Sequence, residues 1–184
     1  MTLEEDFLTT AGDKLAENME RIETCVGKLP DDVIWARGSE NENAVGNLLL
    51  HLTGNVRQWI LSGIVDAPDQ RDRPSEFAAR AGAPGAALAT NLRLVVDEAV
   101  RVIRTLPHAR LAESVRIQGY DTTVLGAIFH VVEHFSGHTF QIILMTKRAT
   151  REDLGFHGYL AQTGRRESEP DLAPTPSVPE SPIV

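Results

Sequence analysis

Apolar residues recur along this chain at steps of three and four, the spacing of one face of an α-helix. Phe7, Ala11, Leu15, Met19, Ile22 and Val26 mark a first helix from about residue 2 to residue 28, and Pro30 lies just past its end, where helices stop. A second helix begins near Asn43, a good N-cap, and runs to Gly63, with Leu48, His51, Leu52, Asn55 and Trp59 on one face. A third spans residues 85 to 105, carried by Leu88, Leu92, Val95, Val96, Ala99, Val102, Ile103 and Leu106, and Pro107 closes it. A fourth starts at Asp121–Thr123 and reaches about Lys147, with Leu125, Ile128, Phe129, Val132, Phe135, His138, Ile142 and Met145 on its apolar side. Four amphipathic helices predict an all-α four-helix bundle.

The intervening stretches refine that picture. Residues 30 to 42 read as polar and irregular, with Trp35 as a plug for the bundle end. Residues 64 to 83 make an unusually long connection, and Pro74-Ser-Glu-Phe-Ala-Ala-Arg80 reads as a short helix within it. A crossover between parallel neighbours explains such a length. The second helix is about 30 Å long, and twenty extended residues reach about 66 Å. Val115-Arg-Ile-Gln118 alternates and is able to pair briefly as extended chain. Residues 152 to 161 read as a cap folded back on the bundle. Five of the ten prolines fall in residues 170 to 184, so we divide the chain into a bundle over 1–162 and a disordered tail over 163–184.

Composition narrows the function classes. The net charge is −8, and no basic cluster exceeds a pair, which argues against nucleic acid and against an anionic membrane surface. No apolar run approaches a membrane span and no signal peptide is visible, so a cytoplasmic location is expected. Cys25 is the single cysteine; it excludes an internal disulfide and reads as a core thiol.

The chemistry lies in the histidines. His130, His134 and His138 stand at four-residue steps on the fourth helix, so their rings overlie one another. His51 faces the core from the second helix. Imidazoles on facing helices of a bundle are a metal-site arrangement, and three bare histidines on apolar faces would otherwise cost desolvation. By spacing, the pairs 130/134 and 134/138 serve equally well beside His51. His108 and His157 fall in loops and read as surface or packing residues, and Glu133 as a surface charge. No GxSxG, Walker, GxGxxG or CxxC motif occurs.

Asn47-Leu-Leu-Leu-His-Leu-Thr-Gly-Asn-Val-Arg-Gln-Trp59 and His130-Val-Val-Glu-His-Phe-Ser-Gly-His-Thr-Phe-Gln-Ile142 resemble the two signature stretches of the DinB-like (YfiT-like) superfamily, and Arg71-Asp-Arg-Pro-Ser-Glu-Phe77 resembles a little-characterised branch of it. The likeness covers roughly residues 5 to 160. It implies an up-down-down-up bundle with its long crossover between helices 2 and 3. It also implies a Zn or Ni site made by His51, His134 and His138, with His130 a neighbour. Phe140 departs from the glycine common at that place, with consequences for a pocket or a dimer contact. Three ligands leave an open position. The resemblance therefore implies a metal-dependent S-transferase or isomerase in which a low-molecular-weight thiol attacks a small electrophilic substrate. A metal-dependent hydrolase and a non-catalytic, metal-stabilised structural or stress-response bundle are the alternatives. Asn55, one turn beyond His51, is a candidate for the second shell or the pocket, and a homodimer is expected.

Overall fold

The computed structural model describes residues 1–156. It is mostly helical, with one small two-stranded sheet that an all-α expectation does not include. The expected tail over 163–184, half of the expected cap over 152–161, and His157 lie outside the described residues.

Helix α1 is Leu3–Val26, started by a capping box in which Thr2 Oγ1 accepts from Glu5 N and Glu5 accepts from Thr2 N. Leu8, Leu15, Met19, Ile22 and Cys25 are buried on it. Phe7 is only half-buried, so the inward stripe begins at Leu8. The stretch expected to be irregular holds a single turn, α2 (Asp31–Ile34). Behind it the indole of Trp35 lies flat on the backbone. A Cβ at Gly46 would come within 2.9 Å of the ring, and one at Gly82 within 2.8 Å. Trp35 Nε1 donates to Ala83 O at 3.2 Å.

The second long helix starts at α3 (Val45–Val56), one residue later than an Asn43 cap allows. Ala44 is the N-cap, and its N–H donates to the side chain of Asn47 at 3.0 Å. The helix does not stay α-helical to Gly63. It widens into a π-helix at Arg57–Ser62, a form that occurs at functional sites more than elsewhere. The expected short helix in the long connection is α4 (Arg73–Ala78), capped by Asp72 with Pro74 in its first turn. Helix α5 (Gly85–Arg104) buries Leu88, Leu92, Val95, Val96, Ala99 and Ile103 as the periodicity predicts.

A short 3-10 helix (His108–Ala112) follows, and then strands β1 (Ser114–Ile117) and β2 (Tyr120–Thr123). They pair antiparallel with Ile117 opposite Tyr120. Gln118 and Gly119 form the two-residue turn, with φ of 54° and 83°, the doubly left-handed geometry that matches strand twist. Helix α6 (Val124–Thr150) is capped by Thr123 Oγ1, which accepts from Gly126 N at 3.1 Å. Its buried line is Val124, Ala127, Ile128, Val131, Phe135, Thr139 and Ile142. Leu125 and Phe129, expected inside, are 43% and 60% exposed.

Helix α1 packs on α5 and α6, and α3 packs on the same two. Glu23 pairs with Arg93 and Asp13 with Arg104 between α1 and α5. Cys25 contacts Thr146, and Phe7 shares a groove with Phe129, between α1 and α6. His51 meets His134, and Trp59 meets His130, between α3 and α6. No helix of the described residues is long and apolar enough to cross a membrane.

Candidate metal centre

The α3 register turns His51 inward between Leu48 and Leu52, where it is 4% exposed. The α6 register brings His134 and His138 against it from the other side. One nitrogen of each of the three lies within 4.8 Å of the others, and Nε2 of His51 is 2.9 Å from Nε2 of His134. Tetrahedral zinc holds imidazole nitrogens at about 2.0–2.1 Å, which sets two of them about 3.3 Å apart. The His51–His134 pair needs to open by a few tenths of an ångström, and nitrogens as far apart as 4.8 Å need to close by up to about 1.5 Å, to seat an ion of that size. Among the described residues this is the cluster of histidine, cysteine or carboxylate ligands with such spacing.

Protonation suits the same use. The His134 imidazole is pushed down to about 3, first by burial and then by the neighbouring His138, His51, His130 and Arg71. Burial also lowers His138, against a hydrogen bond from Gln141. His134 and His138 are thus neutral at pH 7, the form that binds a cation. His138 Nδ1 is 2.9 Å from Gln141 Oε1, and His51 Nδ1 is 2.8 Å from Glu76 Oε2. With both Nδ1–H groups donating to oxygen, the Nε2 lone pairs of the two rings are left for an ion.

Glu76 reaches His51 from α4. Its two oxygens accept from Arg71 Nε at 2.7 Å and Arg71 Nη2 at 2.9 Å, a bidentate grip. Burial works to raise the Glu76 carboxyl, but the hydrogen bonds and charges of Arg71 and His51 outweigh it and hold the group below the usual carboxylate range. Space for this pair comes from Gly54, one turn beyond His51. A Cβ there would stand 2.1 Å from Glu76 Oε1 and 2.8 Å from Arg71 Nε. Asn47, fully buried, fixes α4 itself: its Nδ2 donates to Glu76 O at 2.8 Å and Ala79 O at 2.9 Å. Arg37 joins the clamp by donating to Asn47 Oδ1 and to Phe77 O.

In front of the histidines lies a cleft of about 610 Å³ whose lining includes His51, His134, Asn55, Trp59, His130 and Arg73. The π-helix presents Trp59, whose ring lies 4.0 Å from that of His130. His130 in turn stacks on His134 at 5.5 Å, so it is a neighbour of the cluster and a cleft wall. The hairpin closes one side. Gln118, with its amide oxygen turned inward, accepts from Trp59 Nε1 at 3.3 Å and Arg71 Nη1 at 2.8 Å. Tyr120, Asp121 and Thr122 complete that side.

Of the residues singled out from sequence, His51, His134 and His138 come together, and Asn55 and His130 line the cleft. Phe140 is 53% exposed and is not among the lining residues, so it narrows nothing. Cys25 is fully buried and burial pushes its thiol up, which makes it a core residue. Glu133 is exposed, as expected of a surface charge. Sequence reasoning missed Glu76, Arg71 and Gly54, and although it read Val115–Gln118 as chain able to pair, it missed the second strand and the hairpin's place at the cleft. The Arg71–Phe77 stretch was visible as a likeness, but nothing in its spacing says that it folds back onto His51.

The chain belongs to the family described as "Protein of unknown function (DUF1572)", whose model matches residues 2–156. That family falls within the DinB-like fold clan. No curated protein matches the chain.

Proposed function

We propose that His51, His134 and His138 hold a divalent metal ion, zinc or nickel, and that the protein is a metal-dependent S-transferase or isomerase using a low-molecular-weight thiol against a small electrophilic substrate. The observation that carries this reading is the convergence of three imidazole nitrogens within 4.8 Å of one another, with His51 and His134 of that cluster lining an open cleft. When bound, the ion would supply the positive charge that ionises a thiol or water. Structural zinc sites are closed by four protein ligands, whereas three ligands leave room for an exogenous group. Glu76 and Gln141 keep His51 and His138 oriented. Trp59, His130 and the hairpin enclose the cleft and restrict water.

The same reading takes the four long helices as an up-down-down-up bundle. It is supported by the pairings of Glu23 with Arg93, Cys25 with Thr146 and Trp59 with His130. We further take the protein as a cytoplasmic homodimer. The apolar face of α6 supports the dimer, since Leu125, Phe129, Phe140 and Leu144 are all exposed there.

Metal analysis of the purified chain, followed by cobalt substitution, tests the proposal. Near-stoichiometric metal is expected, with a thiolate-to-cobalt absorption band when a thiol is added and loss of both in His134→Ala. A chain that takes up no metal refutes the site. Metal-dependent turnover of simple esters without thiol would favour a hydrolase. Metal-dependent melting stability with neither spectral nor catalytic response would favour the non-catalytic bundle.

A further inference from the structure

The cleft contains hydrogen-bonding capacity that the protein itself leaves unused. Asn55 stands four residues beyond His51, about 6 Å along the helix axis. It is 3% exposed, and its Oδ1 is buried without a hydrogen-bond partner among the described residues. Leaving such an oxygen unsatisfied costs about 1–3 kcal/mol, so native proteins keep few of them. The nearby donors are committed elsewhere: Arg71 to Glu76 and Gln58, and His51 Nδ1–H to Glu76.

Charge in the cleft is one-sided. Arg73 lines it with no ion pair among the described residues, its guanidinium 5.1 Å above the Phe77 ring. Asp121, the carboxylate that lines the cleft, is held by Arg116 at 2.9 and 3.0 Å. With a cation on the histidines, both the floor and the arginine side are positive and no free carboxylate opposes them. A guanidinium without an ion pair suits a carboxylate. A cleft of about 610 Å³ is the size of a small-molecule site.

We propose that this cleft recognises a small organic anion, with its carboxylate on Arg73, an N–H or O–H donating to Asn55 Oδ1 once that amide turns its buried oxygen toward the cleft, and its metal-binding atom toward the His51–His134 side of the cluster. Asn55 is then a specificity residue that reads a donor on the ligand. This rests on the three-histidine reading and adds the class of ligand to it.

The experiment titrates the cobalt-loaded full chain with N-acetylcysteine, its methyl ester and mercaptopropionate. The ester lacks the charge, and mercaptopropionate lacks the amide donor. N-acetylcysteine is expected to bind about tenfold or more tighter than its ester. Asn55→Ala should weaken N-acetylcysteine by about tenfold and leave mercaptopropionate within about twofold. Arg73→Gln should erase the difference between acid and ester. Cobalt affinity should stay within about twofold in both variants, a result that a merely structural role for Asn55 would not give. Equal binding of acid and ester overturns the proposal while the metal reading stands. So does an Asn55→Ala variant that weakens every probe alike, the result expected if Asn55 only holds water. If no cobalt binds, both ideas fall. If cobalt binds and no thiol perturbs its spectrum, the thiol reading fails alone, and N-acetylserine against its methyl ester carries the same comparison by calorimetry.

Discussion

Between α1 and α5 the protein is dry, and between α3 and α6 it is not. On the first side Leu15, Met19 and Ile22 meet Leu92, Val96 and Ile103, all fully buried, and charge appears only at the rim as Glu23–Arg93 and Asp13–Arg104. On the second side the helix turns π-helical, His51, Asn47, Asn55 and Glu76 are buried, and the Asn55 amide oxygen has no partner among the described residues. Burial of apolar surface stabilises a fold at about 25 cal/mol per Å², whereas buried polar groups at best break even. The comparison teaches a division of labour in which one helix pair supplies the stability that lets the other hold a costly polar site.

The largest effect that sharpens this division is expected at Leu92. Leu92→Ala should lower unfolding free energy by about 2–5 kcal/mol and leave zinc affinity of the folded protein unchanged, as read by denaturant melts and calorimetry. A loss of zinc affinity there would break the separation. His51→Ala is the mirror case, costing more than about a hundredfold in zinc affinity, beyond the range of outer-shell changes, with a smaller stability loss. Glu76→Gln follows, at about ten- to a hundredfold, because the amide no longer anchors the Nδ1–H of His51 with charge.

As pH falls, acid should act first on the polar side, since the Glu23 carboxylate on the dry side, held low by Arg93, protonates only below the usual carboxylate range. His134 binds a proton only near pH 3 in the fold but near 6.5 when unfolded. Between those values the unfolded chain holds the extra proton, so the metal-free protein should lose stability steadily as pH falls from about 6.5 toward 3. A His134→Gln variant should flatten that slope in melts across the range. The smallest effect belongs to the rim of the dry side. Arg104→Ala, which removes a half-exposed ion pair with Asp13, should cost about 0–1 kcal/mol, and a larger loss would mean that charge matters there after all.

The dry side was also the legible one. The stripe on α5 was readable residue by residue because a helix buried along one face leaves a 3.6-residue imprint. The α6 stripe misled at Leu125 and Phe129, since an apolar residue at helical spacing looks the same whether it meets the core or is left exposed at the surface. At the site, the histidine steps on α6 were visible, but the choice between 130/134 and 134/138 came from a likeness. Glu76 and Arg71 were not legible as site residues. Their role depends on where a twenty-residue connection lands, and no local periodicity encodes that. The π-helix was equally hidden, for Arg57–Ser62 carries the apolar spacing of an ordinary helix.

His51 and His134 touch across 83 residues of sequence, and Glu76 joins them from α4, which Asn47 of α3 holds in place. Helices and the two-residue hairpin form locally and early, whereas contacts of this separation wait for the chain to close. The cluster, like the Glu23–Arg93 and Asp13–Arg104 pairs that span 70 and 91 residues, is thus late to assemble. An ion seated there acts after the folding barrier rather than before it, so it should leave the folding rate nearly untouched and slow unfolding instead, a brake on disassembly rather than a seed for it.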